Sequence, residues 1–459
     1  MRRVIAVMGV VAAILMFAGW RAVQPKIRTA TMDEIRAVLP EELLAVPPVD
    51  AEAQARYQKV VDMIGKLDSK QLVKLVTTKK IPASQAYAAS IAFWQANPHL
   101  CSNISSILAE GPLQTPPPKS DGDSQFLPMI AAKSFIKGAT TSARLYTDHG
   151  EYGECTKLML MSISLTNKIM GARGLLINYL GAVTLEAIVT RALDEFLSNA
   201  GFPIEDVRQI LASYGPAPQS DEYLAAATVA DFQHYALPML PDPKVWWQSK
   251  KHVLPADTDV AGDEGNSKGK EDIYGNYDAI ETSKLYGHSV MVAIANARRP
   301  FANLDMSVSK ATEADAKTLP QEVDAEAPDS LGKRLDKLKY RFLMNKAHNS
   351  LGRQILAYSF MGDHAVSASC RWRAQLDATR VLFASVLYRA AHGGKLPAAY
   401  DGFLPYVGSW PQDPYNGKPL IYSAAKEKVY SVGENLIDDG GDVGFDISKA
   451  LDLGVSLKR

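Results

Sequence analysis

Neither sign of charge prevails in this chain, and cysteine is almost missing from it. Fifty Lys and Arg balance fifty Asp and Glu over 459 residues, so no net field draws the protein to nucleic acid or to an acidic surface. No basic stretch interleaved with aromatics offsets that balance, and nucleic acid is excluded as an expected partner. Cys101, Cys155 and Cys370 stand far apart with no C-x-x-C spacing, which excludes a zinc knuckle or a dithiol redox centre. They read as three small buried apolar residues. The eight histidines include no H-E-x-x-H pair; His348 and His364 could meet only if their helices were neighbours. G-x-S-x-G, Walker-type and G-x-G-x-x-G loops are missing too, which removes the hydrolase elbow, the P-loop and the dinucleotide fingerprint.

Four weaker patterns fare little better. Ser367-Ala-Ser-Cys370 near Asp363-His364 sets a hydroxyl beside a base, an arrangement that arises readily by chance on one helix. Asp257 to Asp263 starts like an EF-hand loop but has Ala261 at the fifth position and Lys268 at the twelfth, where a bidentate Glu is needed. Asp148, Glu151 and Glu154 cluster at a turn, where solvated charge is ordinary. Trp246-Trp247 lies in a Pro-rich loop and reads first as packing surface. These patterns favour a non-catalytic chain without deciding whether it is an enzyme.

What is there is organisation. A content of 47% hydrophobic and 22% charged residues is that of an ordinary globular protein, and the length is enough for about three domains. Val4 to Trp20 carries no charge and spans about 25 Å as a helix, behind Arg2-Arg3. It ends at Phe17-Ala-Gly-Trp-Arg21, with Trp and Arg where a cleavage site needs small residues, so residues 1–24 are expected to form a membrane anchor or a signal, the uncleaved anchor being the preferred reading.

Residues 25–235 are expected to form a helical domain. Asp50 caps a helix with Ala53, Tyr57, Val60, Val61 and Ile64 at helical spacing. Further helices are expected over roughly 68–77 and 83–96. A helix marked by Met129, Ala132, Phe135, Ile136 and Ala139 is broken by Asp148-His149-Gly150, and the next starts at Tyr152. This helix–short turn–helix cadence predicts irregular antiparallel helical hairpins, tetratricopeptide-like in part but without that family's fixed repeat period. Residues 236–278 read as a long loop, and 279–392 as a helical segment with an exposed or disordered loop near 304–330. From 393 to 459 the pattern turns to short strands.

That tail is the most specific part. Asn416-Gly417 is a favoured tight turn. Leu420-Ile-Tyr422 and Val429-Tyr-Ser-Val432 are two β-prone runs that read as a hairpin. The following loop offers Asn435, Asp438, Asp439, Asp442 and Asp446 with Gly440, Gly441 and Gly444 between them. Hard oxygen donors with interleaved glycines suit calcium, and a cation relieves repulsion among the carboxylates. The fold expected is mainly α with a small C-terminal α+β module.

The sequence His392-Gly-Gly-Lys-Leu-Pro397, then Asp413-Pro-Tyr-Asn-Gly-Lys-Pro-Leu-Ile-Tyr422, Tyr430-Ser-Val-Gly433 and the acidic loop resembles the C-terminal part of type II secretion major pseudopilins. The resemblance implies export and a calcium-binding last loop. Asn435 and Gly444 depart from the acidic pattern. The chain also lacks a Gly-Phe processing site and a Glu in its apolar helix, so a filament subunit is not implied. Val46-Pro-Pro-Val49, His149-Gly-Glu-Tyr152, Leu175 to Gly181 and Thr184-Leu-Glu-Ala187 resemble a group of uncharacterised envelope proteins of planctomycete- and verrucomicrobia-type bacteria, which implies an anchored, exported architecture. The function expected is a structural or interaction component of the cell envelope, held in the membrane by its N-terminal segment and working with an envelope protein partner. Two other expectations are an envelope hydrolase with its site between the helical body and the Trp246-Trp247 loop, and an accessory component of a type II secretion or pilus-like system.

Overall fold

The computed structural model describes residues 25–45, 48–67, 82–116, 126–172, 174–197, 201–214, 220–244, 275–318, 339–340, 342–359, 362–443 and 452–458. The expected anchor at Val4–Trp20, the helix expected over 68–77, Trp246-Trp247, the Asp257–Lys268 loop and Asp446 lie outside the described residues.

Along the chain, β1 (Ile27–Arg28) precedes α1 (Met32–Arg36), α2 (Glu41–Leu44), α3 (Ala51–Gly65), α4 (Ala83–Ala96) and α5 (Leu100–Ala109). Four longer helices follow: α6 (Phe126–Asp148), α7 (Tyr152–Met170), α8 (Leu176–Leu197) and α9 (Ile204–Tyr214). Next come α10 (Ser220–Asp231), a π turn at Phe232–Ala236, β2 (Tyr277–Asp278), α11 (Ala279–Ala297) and α12 (Ser307–Thr318). The last elements are α13 (Ser350–Ser359), α14 (Gly362–Ala391), α15 (Leu404–Val407), β3 (Ile421–Ser423), β4 (Lys428–Ser431) and β5 (Leu453–Ser456). The protein is mainly α with a small antiparallel three-stranded C-terminal sheet, as the sequence predicts.

The described chain falls into two compact units. One draws on Met1–Val46, Phe232–Val292 and Asp305–Met361; the other on Pro47–Asp231, Ala293–Leu304 and Gly362–Arg459.

In the first unit β1 pairs in parallel with β2, Ile27 against Tyr277 and Arg28 against Asp278. Asn276 secures this short join: its side chain accepts from the Lys26 amide at 2.8 Å and donates to the carbonyls of Asn345 and Ala347. Asn349, buried and left-handed at φ 42°, accepts from the Asp278 amide and Thr282. α12 occupies part of the stretch expected to be a loop. Its residues are mostly exposed, as expected, but alanines at 311, 314 and 316 favour helix and Lys317 pairs with Glu313 at 2.7 Å one turn away.

In the second unit the expected hairpin is present. α6 and α7 join through Gly150 at φ 77° and pack along each other, with Phe135, Ile136, Ala139 and Ala143 facing a core that also takes Met159, Ile163 and Leu165. Asp50 caps α3 by accepting from the Ala53 amide at 2.9 Å, as its spacing predicts. α8 is long and apolar enough to cross a membrane. Here it packs against α6, α7 and α14 as a core helix, and Arg191 and Glu195 pair near its end at 3.5 Å. At its centre Glu186 is fully buried and accepts from Thr166 Oγ1 at 2.7 Å. Burial pushes its carboxyl up from the usual range.

α14 carries the C-terminal sheet. Val381, Leu382, Phe383 and Ala384 are all buried, and β4 and β5 pack on this helix. The sheet order is β3-β4-β5, with Ile421 opposite Tyr430 and Val429 opposite Val455. The β3-β4 hairpin is the expected one. β5 is an addition that the hairpin pattern did not announce.

Candidate functional site

The C-terminal module holds the residues that the sequence singles out, and it is built around Asp413. This buried carboxylate accepts from the Tyr415 amide at 2.8 Å, from Ser431 Oγ at 2.8 Å and from the Val432 amide at 2.9 Å. One side chain thus ties the turn to the far end of β4. The Asp413 backbone closes the turn itself, donating to the Lys418 carbonyl at 2.6 Å and accepting from Gly417 at 2.8 Å. Gly417 is left-handed at φ 72° while Asn416 is not, because the Asn416 side chain instead accepts from the Lys418 amide at 2.8 Å. The turn lies just before the hairpin and joins the Gln412–Pro419 bridge; it does not connect β3 to β4.

Arg389 makes the second tie. From the last turn of α14 its guanidinium donates to the carbonyl of Leu457 at 3.0 Å, to the carbonyl of Gly394 at 3.2 Å and to Glu427 at 3.2 Å. Gly393 and Gly394, at φ 63° and 81°, turn the chain off the helix so that these carbonyls come within reach.

The acidic loop is organised by its own amides and by two lysines. Asp438 Oδ1 accepts from the Gly440 amide at 2.9 Å and from Tyr430 Oη at 3.1 Å. Asn435 Nδ2 donates to Asp439 at 2.8 Å. Gly440 and Gly441 are left-handed at φ 78° and 76°, which exposes their carbonyls. Lys426 donates to the Gly440 carbonyl at 2.6 Å, and Lys428 donates to that of Gly441. Asp452, just before β5, is fully buried and accepts from the Gly441 amide at 2.7 Å and the Asp439 amide at 3.4 Å. Burial pushes its carboxyl up, the two backbone N–H groups oppose this, and the charges of Asp439 and Asp438 add to the rise. Burial and the bond to Asp438 push Tyr430 up to about 12.

Of the expected calcium set, Asn435 touches Asp439, Asp438 faces Tyr430, Asp442 is exposed, and Asp446 lies outside the described residues. In kind these hard oxygens suit calcium. In number the described ones fall short of the six to eight it takes, and lysine ammonium groups already occupy the two glycine carbonyls. Among the described residues no group of three His, Cys, Asp or Glu side chains stands ready to hold a metal ion. Asp413 and Asp452 carry the module, and the sequence reading did not select either as buried. An Asp beside a Pro-Tyr-Asn-Gly turn and an Asp heading a β-prone run are the signals that could have found them.

The other patterns resolve into structural roles. Ser369 accepts from Tyr179 Oη at 2.8 Å in the core, and burial pushes the neighbouring Cys370 thiol up to about 12. His348 pairs with Glu281 at 2.7 Å in the first unit, whereas His364 belongs to the second. At the α6–α7 turn, the Tyr87 ring stacks on His149 at 3.6 Å and its hydroxyl donates to Glu151, while Glu154 pairs with Lys157 at 2.6 Å. That turn is a docking point for α4. Cys101, Cys155 and Cys370 are all free thiols, the last two buried and Cys101 partly exposed.

No family model, curated protein or solved structure matches this chain.

Proposed function

We propose that the protein is a membrane-anchored, exported component of the cell envelope with a structural or interaction role. The observation that carries this reading is the construction of the C-terminal module. Asp413 closes the module on itself, and Arg389, together with the packing of β4 and β5, binds it to the long helix α14, so that it continues the helical body. Such a body presents fixed surface and suits a scaffold or docking role. The apolar Val4–Trp20 run supplies the anchor in this reading, and α8, though apolar, serves as core. Calcium at the acidic loop belongs to the same proposal and rests on the donor chemistry of Asn435, Asp438, Asp439, Asp442 and Asp446.

The test is fractionation of cells expressing the full chain, followed by protease treatment of intact spheroplasts. The protein should pellet with membranes, resist carbonate extraction and be digested from outside. A soluble or protease-protected body refutes the placement. Crosslinking in membranes should then capture a stoichiometric envelope partner, and its absence removes the interaction role.

A further inference from the structure

The first unit contains a feature that the envelope role does not use. A cleft of about 410 Å³ is lined by Arg36, Leu44, Gln233, His234 and Leu237. This lies within the range of about 300–1,000 Å³ typical of small-molecule sites.

Its walls are held in place on both sides. α1, which carries Arg36 in its last turn, starts with a complete capping box. Thr31 accepts from the Glu34 amide at 3.3 Å, and Glu34 accepts from the Thr31 amide at 2.8 Å. Opposite, Gln233 Nε2 donates to the carbonyls of Leu43 and Ala45, each at 2.9 Å, and so fixes the end of α2 to the π turn. The π turn itself is rare backbone that is frequent at functional sites. Its ends, Phe232 and Ala236, are buried, which leaves His234 and Tyr235 on the outer side.

The polar groups specify the ligand's chemistry. Arg36 makes no ion pair among the described residues; of the two acids in its helix, Glu34 is engaged by Thr31, and Asp33 stands one turn before it. Partial burial lowers His234 from its ordinary value, which favours the neutral imidazole with its single N–H donor. The cleft therefore supplies one full positive charge in a planar fork, one neutral donor, and two leucine walls. A carboxylate matches that charge and the fork geometry, whereas a phosphate dianion would leave negative charge uncompensated.

We propose that this cleft binds a small amphipathic carboxylate, its headgroup on Arg36 and His234 and its apolar body against Leu44 and Leu237. The site stands independently of the envelope role.

The experiment uses the full chain in phosphatidylcholine nanodiscs, titrated by calorimetry with hexanoate, hexanol and inorganic phosphate. Hexanoate should bind with a dissociation constant of about 1 mM or below, and hexanol and phosphate about tenfold or more weaker. Arg36→Met, which keeps the stem but loses the fork, should weaken hexanoate about tenfold or more, and His234→Ala by a smaller factor. Far-UV circular dichroism reports whether each variant is folded; if Arg36→Met is not, the His234→Ala result decides. The proposal is overturned by hexanoate failing to bind at about 10 mM, by hexanol binding as tightly as hexanoate, by phosphate binding more tightly, or by folded variants that bind unchanged.

Discussion

Asp413→Ala strands three donors at once. The Tyr415 amide, the Val432 amide and Ser431 Oγ all lose their acceptor inside a region where Asp413 itself is only 1% exposed. A hydrogen bond to a charged group contributes about 1.5–3 kcal/mol, and a buried donor left unpaired costs about 1–3 kcal/mol. Because the three share one side chain they do not add in full, and water entering the vacated space recovers part of the loss. The expected destabilisation of the module is about 4 kcal/mol. Asp413→Asn keeps one carbonyl acceptor but turns an amide N–H toward a donor, for about 2 kcal/mol. Ser431→Ala removes one bond, for about 1 kcal/mol. With two units in one chain a single global unfolding energy is poorly defined, so the measurement is native-state hydrogen exchange read at the Val432 and Tyr415 amides. About 4 kcal/mol corresponds to nearly a thousandfold loss of protection. If Asp413→Ala lowers protection there by less than about fivefold, or no more than Ser431→Ala does, Asp413 is not the clamp and the account of the module fails.

Gly454→Ala should be as damaging by another route. A Cβ there would collide with the Val429 carbonyl oxygen and lie 2.6 Å from Tyr430 Cα, both backbone of β4, so β5 should detach at a cost of about 3 kcal/mol or more, seen as rapid exchange across 453–456. Glu186→Gln tests the buried acid. Because its folded pKa is raised, the wild-type stability it confers is complete below the unfolded value and falls as pH rises through the folded one. The variant should therefore gain stability relative to wild type as pH rises above the ordinary carboxyl range, and a difference that stays constant with rising pH contradicts the assignment. Calcium at millimolar concentration should raise Tm, and the Asp438→Ala, Asp442→Ala double variant should lose the rise; an unchanged Tm in the unmutated protein removes the metal proposal. Arg389→Met should loosen the last strand, with amide exchange at Leu457 rising about tenfold while the α6–α7 hairpin is unaffected.

How much of this was readable in advance depends on the range of the interaction. Helix starts and stops such as Asp50 and Gly150, the hairpin of β3 and β4, and the mainly α class all follow from spacing within a few residues. Propensity also explains α12, though the low hydrophobicity of its segment pointed to a loop, because a short exposed helix needs no apolar face when alanine and an i,i+4 ion pair support it. β5 lies beyond the glycine-rich loop, and its partner is chosen by register across that gap, which no local pattern encodes.

The candidate sites divide in the same way. The sequence alone determined that oxygen-bearing side chains alternate with glycines between 435 and 446, since that is composition and spacing. Only the tertiary structure decided what they do there, because two lysines from the hairpin reach the glycine carbonyls and Asp452 arrives from beyond the loop to accept its amides. Likewise, an arginine at 36 and a histidine at 234 have no relation in sequence. They share one cleft because Gln233 draws a distant helix end onto the π turn, and hydrogen bonds between residues that far apart exist only once the chain has folded.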